Sequence, residues 1–387
     1  MMTRISLVLC LCVLSLACGC GSRSGVGDAK KGMAALKDGR TEKAIAHFTA
    51  ATQRIPNSPE LYYHLGLAYL LEGKPKEAEA ALQAALDLKP AEGEANILGA
   101  LGQVAYHQKA YTNALASLQQ ALAVAPDENT KARILTVMGA VETCCHNYTL
   151  AHLYYLRALK HDSQYAPAYY NRATLYQDHF DLLEEALEYL EMFVRMADKK
   201  SSQYTLAENR IKRLRSKLAQ SPTALANRNR DATRAGTLLQ EGVNAHNAKQ
   251  YPKAIKAYKD ALAADPSTHG AAYGLGMLYR QQGMHAEALS AFKTAIEINP
   301  TLQENYSNAA ELALQLRQPA EASRLLTKGI SRSPYNPDTT RLMAQAASAE
   351  YKIPEAIAYG EFYLSLIPKN SPDRAAFEKW VQTLKRK

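Results

Sequence analysis

The chain has 387 residues, is nearly half apolar, and takes its aromatic content mainly from 23 tyrosines against 6 phenylalanines and 1 tryptophan. It lacks the valine and isoleucine runs of a buried sheet, which argues against a sheet-based enzyme core. A formal net charge of +9 admits a polyanionic partner, but where the charge sits decides more than its size.

At the N-terminus Arg4 is the only early charge, and Ile5 to Ala17 is an unbroken run of apolar and small residues. As a helix this run would cover about 20 Å, short of a bilayer core of about 30 Å. It fits the apolar region of a signal peptide. The adjoining Leu14-Ser15-Leu16-Ala17-Cys18-Gly19-Cys20-Gly21-Ser22 resembles the lipobox of bacterial lipoproteins, although Ser15 stands where leucine is more usual. The resemblance implies removal of residues 1–17, lipidation of Cys18 (alternatively Cys20), and a flexible tether over residues 18–24. Several acyl chains would anchor the chain to a membrane stably. No aspartate follows either cysteine, which in that family implies the outer membrane, facing the periplasm.

The stretch Pro59 to Ala91 sets the pattern for most of the chain. Tyr62, Leu65, Gly66 and Tyr69 are spaced as one face of a helix, and Ala78, Leu82 and Ala85 as one face of a second. Gly73 and Pro75 mark the turn between them and Pro90 the end, while Gly66 and Ala78 lack the bulk that would hold the two axes apart. This pattern resembles the 34-residue tetratricopeptide repeat. The same register gives five units over residues 25–198, starting at Gly25, Pro59, Ala95, Ala132 and Ala166, the last with one extra residue in its turn. Four more fill residues 235–370, starting at Ala235, His269, Gln303 and Pro337. Pro252, Pro319 and Pro354 recur where Pro75 stands, at the start of a second helix. A capping helix is expected over residues 371–387, with Phe377, Trp380, Val381 and Leu384 in one stripe. The fold expected is an all-α solenoid in two blocks.

Between the blocks, residues 199–234 break the register. Ala207, Ile211, Leu214 and Leu218 form a helical stripe whose other faces carry Arg210, Lys212, Arg213, Arg215 and Lys217, and residues 199–230 as a whole hold most of the chain's net charge. Ser221-Pro222 marks a helix start, and the absence of proline from Thr223 to Asn247 predicts one long helix entering the second block. The interval is expected to be a helical bridge.

Catalytic motifs are missing. The run Glu142-Thr143-Cys144-Cys145-His146 has glutamate where a haem-attachment motif needs its first cysteine. Cys144, Cys145, His146 and His152 would point in divergent directions, so no metal site and no cofactor is expected. No phosphate-binding loop or serine-nucleophile motif occurs. The chain is expected to be no enzyme.

The repeat resemblance implies instead a concave face lined by the first helix of each unit. Carried onto this sequence, it selects Tyr63, Leu67 and Leu70; Asn96, Gln103, Tyr106 and His107; and Tyr170, Thr174, Gln177 and Asp178. In the second block it selects Leu239, Val243, His246 and Asn247, then Tyr273, Met277, Arg280 and Gln281. Tyrosine and amide side chains suit peptide recognition. The function expected is a membrane-anchored adaptor in cell-envelope assembly that binds protein or peptide partners in its groove. The alternative is a protein that binds polyanions or anionic lipid through the basic residues of 199–230. Nucleic acid is disfavoured, because Tyr204 is the only aromatic residue among those charges.

Overall fold

The computed structural model describes residues 23–199, 201–220 and 231–386, and these hold twenty α-helices and no strand. The signal segment, Cys18, Cys20 and the Ser221-Pro222 helix start lie outside the described residues. None of the described helices is long and apolar enough to cross a membrane. The fold is the expected all-α solenoid, in two compact units. The first runs to Asp181 and resumes over Ala186–Ile211, and the second takes Leu182–Glu185 and Lys212–Lys387.

Helices follow one another in pairs. The first unit contains α1 (Arg23–Lys37) and α2 (Thr41–Arg54), α3 (Pro59–Leu71) and α4 (Pro75–Asp87), and α5 (Glu94–His107) and α6 (Tyr111–Ala123). Then come α7 (Glu128–Cys144) and α8 (Tyr148–His161), α9 (Ala166–Leu175), and α10 (Leu183–Met196), which begins in the four residues assigned to the second unit. The division falls again inside α11 (Ser202–Gln220). The second unit continues with α12 (Ala232–Asn247) and α13 (Tyr251–Ala264), α14 (His269–Gln281) and α15 (His285–Ile298), and α16 (Gln303–Gln315) and α17 (Pro319–Arg332). It ends with α18 (Pro337–Ala349), α19 (Ile353–Leu366) and α20 (Arg374–Lys385).

Close approach within several of the pairs depends on a missing side chain. A Cβ on Gly66 would stand 2.6 Å from Leu82 Cγ, and one on Gly276 would stand 2.8 Å from the Phe292 ring. Both contacts are tighter than van der Waals packing allows, so glycine at this place lets the second helix drive a large side chain against the first. The turn is equally regular. Gly73, just past α3, has φ 76°, and the Lys74 N–H returns to the Tyr69 carbonyl at 2.9 Å. That is a glycine-type helix stop with its orphan carbonyl satisfied. Gly39 and Gly283 do the same, but so do Lys109, His146, Lys249, Arg317 and Tyr351, all with positive φ. The second helices α4, α13, α17 and α19 carry proline in their first turn, where its missing N–H costs no bond.

Two local expectations are corrected. The extra residue of the fifth unit is absorbed in the helix itself: after α9 the chain makes a π-helical turn over Tyr176–Phe180, which Asp181 closes at φ 52°. The helix that leads into the second block starts at Ala232, because Asp231 before it is not helical. The Asp231 carboxylate caps it by accepting the Arg234 N–H at 2.9 Å. The last helix, α20, buries Val381 and Leu384, and Leu384 joins Ala347 and Ala356 in one core. Arg374 donates to the Leu364 and Ile367 carbonyls at 2.7 and 3.1 Å, closing the C-terminus of α19.

Replacing Gly66 or Gly276 by leucine is expected to overpack the local hairpin by about 1–3 kcal/mol. Coupling in an array runs between neighbours, so hydrogen exchange should speed up mainly in the altered hairpin and those beside it. Uniform loosening of the whole chain would contradict this.

The core of the first unit holds a second sensitive group. His64 is buried and stacks on Phe48 with ring centroids 5.7 Å apart, and burial holds its pKa down at about 4, partly opposed by Glu60. Its folded pKa lies below the ordinary value of about 6.5, so its contribution is fully present above that value. The contribution is lost as pH falls from about 6.5 towards about 4, because only the unfolded chain takes up the proton. The loss amounts to about 3 kcal/mol. Urea unfolding of the first unit should shift between pH 7 and pH 4.5 by visibly less in His64→Leu than in the wild type. Equal shifts would contradict the assignment.

Candidate functional site

In the first unit the ends of α3, α5, α7 and α9 line one cleft with the start of α11, with a volume of about 740 Å³. Leu70 and Leu71 come from α3, Tyr106 and His107 from α5, Ala140, Thr143 and Cys144 from α7, and Tyr170 and Thr174 from α9. Ser202, Gln203 and Leu206 bring in α11, and Tyr155 reaches the floor from α8. Leu71 is 37% exposed and Leu206 54% exposed, which leaves a large apolar side chain open at each end of the helix series. The apolar floor and the few hydroxyls on it are the composition of a site for an apolar side chain with polar orientation.

The floor is held by a small polar cluster. Tyr106 Oη and Cys144 Sγ are 3.4 Å apart, and Thr143 Oγ1 and Tyr155 Oη 3.3 Å apart. Burial first, then the hydrogen bond with Cys144, pushes the Tyr106 phenol well above its ordinary range, so it remains a neutral donor and acceptor. Burial also lowers the pKa of His107. Cys144 and Cys145 are free thiols, and only Cys144 lines the cleft.

Of the groove residues expected in the first unit, Tyr106, His107, Leu70, Tyr170 and Thr174 meet in this cleft. Leu67 and Leu70 are 5% and 6% exposed and share a core with Ile97, Ala100 and Val104. Both leucines therefore belong to the core that α3 shares with α5 and, through Ala78, Leu82 and Ala85, with α4. Tyr63 is half-buried beside His64, its ring centroid 5.3 Å away. Asn96 accepts from Arg133 of the next first helix, and Gln103 is half-buried. Gln177 and Asp178 lie on the π-helical turn, where a residue from outside the expected groove occupies them. Arg210 donates to Gln177 Oε1 through Nε and Nη2 at 3.2 and 3.0 Å, and to Thr174 Oγ1 at 2.8 Å. Asp178 lies 3.5 Å from the same guanidinium.

The second unit shows a different face. Arg280 binds Asn308 at 2.8 Å and Glu311 at 2.7 Å on α16, so it ties adjacent first helices. His246 bonds Gln281 at 3.2 Å, and Gln281 donates to Tyr251 at 3.2 Å. Tyr273 stacks on His269 and meets Phe292 edge-on. Leu239 and Val243 are half-buried, and Met277 and Asn247 exposed. On α11, Lys212, Arg213, Arg215 and Lys217 are exposed, Ala207, Ile211 and Leu214 buried and Leu218 half-buried. The sequence pattern missed a buried cluster behind α9. There Arg172 donates to Tyr176 Oη through Nη2 at 2.7 Å and lies 4.4 Å from the Tyr189 ring centroid, while His152 Nδ1 is 3.2 Å from the same hydroxyl. Its only signal was a histidine and an arginine at positions where the register expects no polar core.

Stacked helical hairpins with a groove along their first helices define an α-solenoid scaffold. One tetratricopeptide repeat model matches residues 30–93, 73–129 and 239–302, and another matches residues 279–346, together more than half of the chain. The chain belongs to the tetratricopeptide repeat family. It is 26% identical over 125 residues to the cytochrome c-type biogenesis protein CycH of Pseudomonas aeruginosa, a match covering 32% of this chain and 31% of that protein. The chain thus spans about a third of that relative's length. Among solved structures, pilF of Pseudomonas aeruginosa aligns at 17% identity and a TM-score of 0.39, covering 67% of this chain and 97% of that one. MamA of Desulfovibrio magneticus RS-1 aligns at 19% identity and 0.37, covering 47% and 100%.

Proposed function

We propose that this protein is a membrane-anchored adaptor of the cell envelope, and that the cleft of its first unit receives an apolar segment of a partner protein. The observation that carries the binding reading is the cleft itself, with several helices contributing to one cavity and Leu71 and Leu206 left open to solvent on its walls. Apolar anchors in a pocket, surrounded by groups that exclude water, supply most of the affinity in such interfaces. The family is built for interaction, and the partial similarity to a protein named for cytochrome c biogenesis agrees with work on other proteins rather than on small molecules. Anchoring rests on the apolar run Ile5 to Ala17 followed by Cys18 and Cys20, and facing the periplasm from the outer membrane follows from the same resemblance. A second reading keeps the exposed Lys212, Arg213 and Lys217 as contacts for anionic lipid or a polyanion. Such contacts would weaken with salt.

A photo-crosslinking residue at Leu206 should capture a defined protein in native membranes, and one at the exposed Tyr351 should not. Leu206→Asp in combination with a crosslinker at Leu71 should weaken that capture at least about tenfold, as for loss of a central anchor. Equal capture from both positions, or indifference to the aspartate, would remove the binding reading. For the anchor, Cys18→Ser and Cys20→Ser are made singly and together and followed by acyl labelling and fractionation. One single variant and the double variant should lose the label and leave the membrane. Label retained by the double variant would disprove lipidation at either cysteine.

A further inference from the structure

Four side chains that α9 and its π-helical turn would offer a partner are already engaged by one residue of the same chain. The Arg210 guanidinium bonds Gln177 twice and Thr174 once, approaches Asp178, and lies 5.8 Å from the Tyr170 ring centroid. Its side chain is only 18% exposed. Along the sequence Arg210 looks like one more charge of a basic run, yet its surroundings are those of a seated ligand.

The position of Arg210 on its helix gives this contact a consequence. Gln203, Leu206 and Arg210 follow the spacing i, i+3, i+7 and share one face of α11. Ala207 and Ile211 on the same helix are buried, but apolar adhesion is non-directional and tolerates rotation about the helix axis. The guanidinium is planar with donors in a fixed fork, so its bonds to Gln177 and Thr174 set that rotation. With Arg210 fixed, Leu206 one turn earlier is fixed as well. We propose that Arg210 is a positioning residue of the groove: it latches α11 across α9 and so builds the cleft wall that carries Leu206. The π-helical turn is part of the device, because Gln177 and Asp178 lie within it. This inference rests on the groove reading above, and it also withdraws Thr174, Gln177 and Asp178 from direct partner contact.

The test uses the full chain in four forms: wild type, Arg210→Gln, Arg210→Lys, and Lys212, Arg213 and Lys217 together changed to Gln. Hydrogen exchange over residues 202–211 is followed by mass spectrometry. N-ethylmaleimide labelling of Cys144 is followed relative to Cys145, which does not line the cleft. Arg210→Gln should raise exchange in that segment about tenfold, the loss expected when a charged hydrogen-bonded group is removed. It should also raise the Cys144 to Cys145 labelling ratio, whereas general loosening would raise both rates and leave the ratio unchanged. Arg210→Lys, which keeps the charge without the fork, should recover part of the protection, and the triple variant should match the wild type. Wild-type behaviour of Arg210→Gln, or an equal effect in the triple variant, overturns the latch. If Arg210→Gln does not fold by circular dichroism, Gln177→Ala removes the main acceptor instead and must show the same two changes. Neither readout needs a partner. No partner capture by the wild-type chain, with both latch readouts as expected, therefore condemns the groove reading, while an unmoved ratio alongside wild-type capture condemns the latch.

Discussion

The structure depends on one recurrent contact, a large side chain of each second helix pressed against a place on the first where little or no side chain stands. Leu82 over Gly66, Leu118 over Gly102 and Phe292 over Gly276 are versions of the same contact. Each lets two helix axes come close enough to share a core with no cavity between them. Once the hairpin is that tight, its remaining apolar face must be covered by the next hairpin, and the chain becomes a series in which every element leans on its neighbours. The groove follows from this constraint. Second helices supply the bulk, so first helices are left to present their outward residues side by side.

That constraint also explains which parts of the structure the sequence reveals. The helix pairs are legible because apolar periodicity and small residues recur at a fixed spacing. The turns are only partly so. Glycine announces a left-handed residue at Gly39, Gly73 and Gly283, but Lys109, His146, Lys249, Arg317 and Tyr351 adopt the same conformation with side chains that disfavour it. The hairpin imposes the turn, and local preference yields to it. At the fifth unit the sequence shows that one residue is extra without showing where it goes. The chain puts it into a π-helical turn, which keeps Tyr176 buried beside Arg172 and His152 where a longer loop would not.

Groove residues are harder to read, because the same register serves two purposes. Leu67 and Leu70 stand at positions that face the groove, yet both are buried against Ile97, Ala100 and Val104. The small Ala100 is part of that core and leaves room for leucine to pack inwards. In the second unit Arg280 also spans to the next first helix. A position in a repeat says which way a side chain leaves its helix. The size and polarity of the neighbour decide whether it meets solvent, and that neighbour is about 34 residues away in the chain.

The basic interval carries the same lesson for charge. Arg210, Arg213 and Lys217 lie at i, i+3 and i+7, so they share one stripe of α11 and are equivalent by helix face. What separates them is distance along the axis. At 1.5 Å per residue, Arg213 and Lys217 stand about 4.5 and 10 Å beyond Arg210. Arg210 meets the acceptors of the π-helical turn and is largely buried, while the other two are exposed. A count of charges along the sequence treats the three alike. Burial among polar acceptors makes an arginine a directional structural element, and exposure leaves the other two as a screened field that any anionic surface could meet. One helix thus joins a fixed wall of the candidate binding cleft to an exposed patch of charge, and the two act through different physics.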